Sequence, residues 1–146
     1  MQQSCPAEPQ WTSEMKLFVG AIILGLLAGC ATSPVPAEKA DPVPSSRLYA
    51  YQAPVSGQAT LIITRDKGFT GSGCNTKISI DGQRAASIAS GESAKFYLAA
   101  GEHMISASSC GSGLKEREVS IAPGATKRYR ISIDSSMSMD LSPTSF

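Results

Sequence analysis

Residues 127–134 read Lys-Arg-Tyr-Arg-Ile-Ser-Ile-Asp, and residues 74–81 read Cys-Asn-Thr-Lys-Ile-Ser-Ile-Asp. In the first, Tyr129, Ile131 and Ile133 alternate with Arg128, Arg130 and Ser132; in the second, Ile78 and Ile80 alternate with Lys77 and Ser79. A period of two sends the two sets to opposite faces of a β-strand, one toward a core and one toward water. The same alternation, bounded by Gly, Asp, Asn and Pro, recurs over residues 47–53, 58–65, 84–88, 93–99, 103–109, 115–121 and 137–141. Nothing there carries the period of a long helix. The expected fold is therefore all-β, a small antiparallel β-sandwich of about seven to nine strands over residues 47–146.

One register follows from the faces. If Val119 and Ile121 share a core with Tyr129 and Ile131, a hairpin around Pro123-Gly124 needs an odd loop, which a three-residue loop of Pro123, Gly124 and Ala125 supplies. That hairpin pairs Ala122 with Thr126, Val119 with Tyr129, and on the outer face Glu118 with Arg130, leaving Arg128 opposite Ser120 and free. The run Lys127-Arg128-Tyr129-Arg130 is then partly neutralised within the sheet; were Glu118 and Arg130 on unpaired strands, its reading as a patch for an anionic ligand would regain weight. A short repeat accompanies these strands: Ile88-Ala89-Ser90-Gly91 followed by Lys95-Phe96 returns as Ile121-Ala122-Pro123-Gly124 followed by Arg128-Tyr129. It reads as a reused strand, glycine turn and strand, since two copies do not make a solenoid.

Upstream of the sandwich the chain changes character. Residues 31–46, ATSPVPAEKADPVPSS, contain four prolines and no apolar periodicity, which predicts an extended, solvated tether reaching up to ~50 Å in polyproline II geometry. Before it, residues 17–28, LFVGAIILGLLA, form an uncharged run after Lys16, too short to span a bilayer but the right length for the apolar segment of a secretory signal. Residues 1–14, with Glu8, Glu14, Pro6 and Pro9, are unlike the basic start of such a signal. Met15 reads as the true start, residues 1–14 as a misassigned upstream extension, and residues 15–29 as the signal peptide, so that Cys5 and Trp11 do not reach the mature protein.

The apolar run ends in Leu27-Ala28-Gly29-Cys30, which resembles the lipobox of bacterial lipoproteins at all four positions. The resemblance implies cleavage before Cys30, whose thiol takes diacylglycerol, with acyl chains such as palmitate. It also implies that Ala28 and Gly29 are small to admit the signal peptidase and that Leu27 fills an apolar subsite. Each buried CH₂ contributes roughly 0.8 kcal/mol, so the two or three chains implied by the family anchor the protein durably without a spanning helix. Residues 30–46 are then the lipidated cysteine and its linker. Ala31 and Thr32 follow Cys30, with no Asp to act as an inner-membrane retention signal, which by the same resemblance favours the outer membrane, facing the periplasm. Within the sandwich, Ile80-Asp81-Gly82, Phe96-Tyr97-Leu98 and Ala100-Gly101-Glu102-His103-Met104-Ile105 resemble PEGA-type domains and other small β-sandwich lipoproteins of bacterial envelopes, with Ala100 where proline is usual. Such domains are binding or structural modules rather than enzymes.

The 13 Lys+Arg against 12 Asp+Glu leave a formal charge of +1, which provides no field to gather nucleic acid. With Cys5 removed and Cys30 lipidated, Cys74 and Cys110 remain as an even pair in an oxidising compartment and read as a disulfide. The alternatives are two free thiols, or a metal held by both and His103, which lacks a fourth ligand and any Cys-x-x-Cys spacing. No catalytic, metal or cofactor-binding residue is assigned. His103 is the single histidine and has no Gly-x-Ser-x-Gly elbow to serve. Glu116 and Glu118 share a strand face as ordinary solvated residues do. Gly71-Ser72-Gly73 and Gly111-Ser112-Gly113 lack the Lys-Ser/Thr of a phosphate loop and read as mobile loops beside the cysteines. The function expected is a non-catalytic, lipid-anchored binding or scaffolding module of the envelope, touching peptidoglycan or another envelope protein. The alternative is an accessory subunit of an envelope-spanning secretion or conjugation machine. A hydrolase would require His103 beside a serine and a carboxylate in a cleft.

Overall fold

Alternating side chains bury themselves only if two sheets meet face to face, and the computed structural model, which describes residues 32–145, has that arrangement. Nine strands are found among the described residues: β1 (Asp41–Pro42), β2 (Gln58–Arg65), β3 (Thr76–Ile80), β4 (Gln83–Ile88), β5 (Glu92–Ala99), β6 (Gly101–Ser109), β7 (Gly113–Ile121), β8 (Thr126–Ile133) and β9 (Met139–Pro143). A five-stranded sheet runs β1-β5-β2-β8-β9 and a four-stranded sheet runs β4-β3-β6-β7. Most neighbours are antiparallel, while β1 with β5 and β2 with β8 are parallel. Leu61, Ile63, Phe96, Leu98, Ile131 and Ile133 from the larger sheet pack on Ile78, Ile80, Ile88, Ile105, Val119 and Ile121 from the smaller. The predicted faces of β3 and β8 hold: Ile78, Ile80, Tyr129, Ile131 and Ile133 are buried, and their neighbours are not. Among the described residues no helix is long and apolar enough to cross a membrane.

The predicted hairpin of β7 and β8 does not exist. β7 pairs with β6, and β8 with β2 and β9, in the other sheet. Val119 and Tyr129 do share one core, but from facing layers rather than adjacent strands. Glu118 lies opposite Met104, and Arg130 instead reaches Asp66, which is 1% exposed. The face condition was sound; it is met equally well by two sheets looking at each other. The sequence repeat marks this switch, because β4 to β5 and β7 to β8 both leave the small sheet for the large one, with Gly91 at φ 80° and Gly124 at φ 71° at the turns.

Two further expectations fail for one reason: backbone groups of the leading segment find partners on the sandwich. Residues 32–46 are not a solvated tether. The Thr32 hydroxyl bonds both the N–H and the carbonyl of Ile133, Ser33 exchanges backbone bonds with Lys67, β1 pairs with β5, and Val43 is 6% exposed in the core. Residues 47–53 are not a strand. Arg47 closes a 3-10 turn, and Leu48 makes a single bridge to Ala86, where a bulge in β4 leaves the Ala85 carbonyl to the N–H groups of Tyr49 and Ala50. The Arg47 guanidinium holds this segment down by a fork onto Glu92 and a bond to the Ser87 carbonyl at 2.8 Å.

At the end of β2 the side chain of Arg65 is 1% exposed, and among the described residues no carboxylate forms an ion pair with it. Its Nη1 donates to the carbonyls of Cys74 (2.6 Å) and Ile88 (3.2 Å), and its Nη2 to that of Gly71 (2.6 Å). Burial pulls the pKa of Arg65 down, opposed by the charge of Glu92. The loop between β2 and β3 is thereby pinned rather than free, and it delivers Cys74 to Cys110, joined by a disulfide across a sequence separation of 36. Arg65→Met should lower stability in urea by about 3–5 kcal/mol, because the buried Ile88 carbonyl and the part-buried carbonyls of Cys74 and Gly71 lose their donor. Cys74→Ser with Cys110→Ser should cost about 3–4 kcal/mol, the loop entropy released to the unfolded chain. Under non-reducing conditions intact-mass analysis after alkylation should find neither cysteine modified, whereas two adducts would refute the bridge.

Candidate functional site

Residues 33–42 leave Lys67, arch over the outer face of the five-stranded sheet and rejoin its edge at β5. Prolines shape the arch: Pro36 and Pro44 precede 3-10 turns at Ala37–Lys39 and Ser45–Arg47, and Pro42 sits in an edge strand, where its missing N–H costs nothing. Between arch and sheet lies a groove of about 610 Å³. Its floor is set by register, since Ile62 of β2 is paired with Lys95 of β5 on one side and Arg128 of β8 on the other. Two cations thus flank one aliphatic side chain in a single row, their Cα atoms roughly 10 Å apart across three strands. Tyr97 and Gln52 extend one wall, and Ala37, Glu38 and Ala40 form the roof.

The cations are loosely committed. The Arg128 guanidinium stands 3.7 Å from the Glu38 carboxylate, which is 66% exposed, and the buried Arg128 Nε has no hydrogen-bond partner among the described residues. An ion pair this open contributes at most about 1 kcal/mol. Arg130, one row away, is by contrast committed to Asp66. The groove therefore offers an apolar strip, an aromatic edge and positive charge that an anionic group could take over from Glu38. Lys95, Tyr97, Ile62 and Glu38 were not identified from the sequence. The signal available was the repeat, because Lys95 and Arg128 occupy equivalent positions in its two copies.

The other sequence-derived residues fall elsewhere. Leu27, Ala28, Gly29 and Cys30, with the signal peptide and the upstream extension, lie outside the described residues. Cys74 and Cys110 meet at one end of the sandwich beside a second hollow lined by Lys77, Ser87, Ser108 and Ser109. His103 is at the opposite end, so the three do not assemble, and among the described residues no group of three or more His, Cys, Asp or Glu could hold a metal ion. Glu116 and Glu118 are exposed on β7.

His103 faces Asp81, whose positive φ of 49° begins the Asp-Gly turn between β3 and β4. Nδ1 lies 2.7 Å from the Asp81 carboxylate and Nε2 lies 2.8 Å from the Ala99 carbonyl. The second Asp81 oxygen accepts the Met104 N–H at 2.9 Å. Both ring nitrogens face acceptors, so the arrangement suits the imidazolium and leaves neither nitrogen for a serine. Burial works against the charged ring, but the bonds to Asp81 and Ala99 outweigh it and raise the pKa of His103. Burial likewise opposes the charged Asp81, and His103 with the Met104 amide outweighs it and lowers that pKa. Asp81 and His103 thus meet as a turn-locking ion pair. No protein-family model matches the chain, and no curated protein matches it.

Because the raised His103 pKa stabilises the fold below the unfolded value of about 6.5, that contribution should fade as pH rises through the folded pKa. Asp81, lowered, should contribute above about 3.9 and lose its effect as pH falls through its own folded pKa. The single histidine gives one imidazole C2–H resonance; its NMR titration midpoint should exceed about 6.5 and drop in Asp81→Asn. A midpoint unchanged by that substitution would refute the pair.

Proposed function

We propose that this chain is a non-catalytic, lipid-anchored binding module of the bacterial cell envelope, held through lipid on Cys30 at the outer membrane and facing the periplasm, whose groove takes an anionic segment such as the carboxylate-bearing peptides of peptidoglycan. The observation that carries the binding role is the row Lys95-Ile62-Arg128 beneath the arch, with Glu38 resting at 3.7 Å where a ligand carboxylate would bind. A peptide carboxylate would displace Glu38 and pair with Arg128, while alanine-like methyl groups lie against Ile62 and Tyr97. The lipobox supports the anchor, and the Cys74–Cys110 bridge fits an exported domain.

Purified mature protein should sediment with isolated peptidoglycan sacculi, more weakly at high salt. The double variant Lys95→Glu, Arg128→Glu should bind about tenfold less, the loss of roughly one charge-assisted contact. Glu38→Gln should bind more tightly. Wild-type binding by the double variant would exclude the groove, and capture of the protein only within one large stoichiometric assembly would favour the machine-subunit alternative. Separately, Cys30→Ser should abolish acyl labelling and leave an unprocessed precursor; normal labelling of that variant would end the lipoprotein reading.

A further inference from the structure

Phe69 is 88% exposed, the most uncovered large apolar side chain among the described residues. It stands on the loop that Arg65 pins through Gly71 and that closes with a bond from the Ser72 N–H to the Phe69 carbonyl. A fixed loop therefore presents this ring outward, and the sandwich core gains nothing from it. Beside the ring is an apolar hollow of about 370 Å³, walled by Met137, the Cys74–Cys110 bridge and Gly71 and Gly73. Lys67 is exposed two residues away. An aromatic ring and a lysine stem on one rim is the composition that settles at a bilayer interface.

The chain path says what covers this end. Thr32 packs directly on Gly68, where an added Cβ would come within 2.9 Å of the Thr32 Cα. Gly68 is bonded to Phe69, and Cys30 is only two residues from Thr32, so Cys30 can lie no further than ~7 Å from the Thr32 Cα. From Thr32 onward the chain is bonded to the sandwich, which leaves no spacer between the lipid attachment point and this rim.

We propose that this end of the sandwich is a membrane-contact face. Phe69 and Met137 enter the boundary between headgroups and acyl chains of the bilayer that holds the lipid on Cys30, and the domain lies on the membrane instead of standing off from it. The inference rests on the lipoprotein reading of Cys30. It orients the molecule, with the disulfide end at the membrane and the His103–Asp81 end outward.

The test uses the full chain, processed in a lipoprotein-producing bacterium and reconstituted into phosphatidylethanolamine–phosphatidylglycerol vesicles with spin-labelled lipids. Trp11, the single tryptophan, is lost with the leader, so Phe69→Trp and Val55→Trp each carry one reporter, at the membrane end and at the far end ~25 Å away. Intact mass first verifies the acylated Cys30. Trp at position 69 should be blue-shifted and quenched by shallow spin labels at least roughly threefold more than Trp at position 55. Equal, weak quenching of both in acylated protein overturns the contact face while leaving the lipid anchor intact. A blue shift at position 69 without lipid quenching also overturns it, since a second copy or another protein then covers the ring. An unacylated product removes the anchor and the contact face together.

Discussion

A guanidinium held by backbone carbonyls and sealed inside a small β-sandwich is the constraint from which the rest of this structure follows. Arg65 ends the central strand of the larger sheet, and its donors go to carbonyls of the disulfide loop and of the last residue of β4. The cost of burying that charge is offset only while all three carbonyls stay in place. Strand, loop and facing sheet are thereby held in one geometry, with the cysteines aligned for bonding. An apolar residue in that position would fill space without fixing where the loop goes. Glu92, whose charge acts on Arg65, is also the carboxylate that anchors Arg47, so the leading segment and the buried cation are electrostatically linked. Burial tends to raise the pKa of Glu92, but its bonds to Arg47 and the Ala89 amide hold it below the usual carboxylate range.

Much of the fold was legible because side-chain period is a local property. Strands β2 through β9 were readable from alternation, and Ile78, Ile80, Ile131 and Ile133 were assigned to the core from their own neighbours. Pairing is not local. The odd loop at Pro123 to Ala125 is consistent with a hairpin and with a crossover, and only the positions of β2 and β6 decide between them. Segment 32–46 was misread because its composition lacks apolar period, yet one valine, one threonine hydroxyl and a few edge hydrogen bonds suffice to seat it on a preformed sheet. Arg47 illustrates the same limit, since nothing near it in sequence announces a partner at position 92.

The groove was the least legible part, since it consists of residues that are unremarkable one at a time. Lys95 and Arg128 acquire meaning from sharing Ile62 as a neighbour, a relation created by one antiparallel and one parallel pairing on either side of β2. The repeated Ile-Ala-x-Gly turn held that information in compressed form. It launches each cation-bearing strand from the small sheet into the large one in the same phase, so the cations emerge on the same face and in the same row. The pair at His103 was only half legible, because its histidine stands out by being single while its partner lies on another hairpin.

The parallel contact between β2 and β8 has a kinetic consequence. A chain that emerges N-terminus first, from a ribosome or through a membrane channel, presents Thr60 long before Thr126, its register partner. Until β8 arrives, β2 has β5 on one side and an open edge on the other, and the larger sheet lacks two of its five strands. Sequence-distant pairing of this kind makes closure slow and late. The domain should therefore stay pliable through most of its emergence and consolidate only near the end, which makes the unpaired flank of β2 the place where premature association would begin.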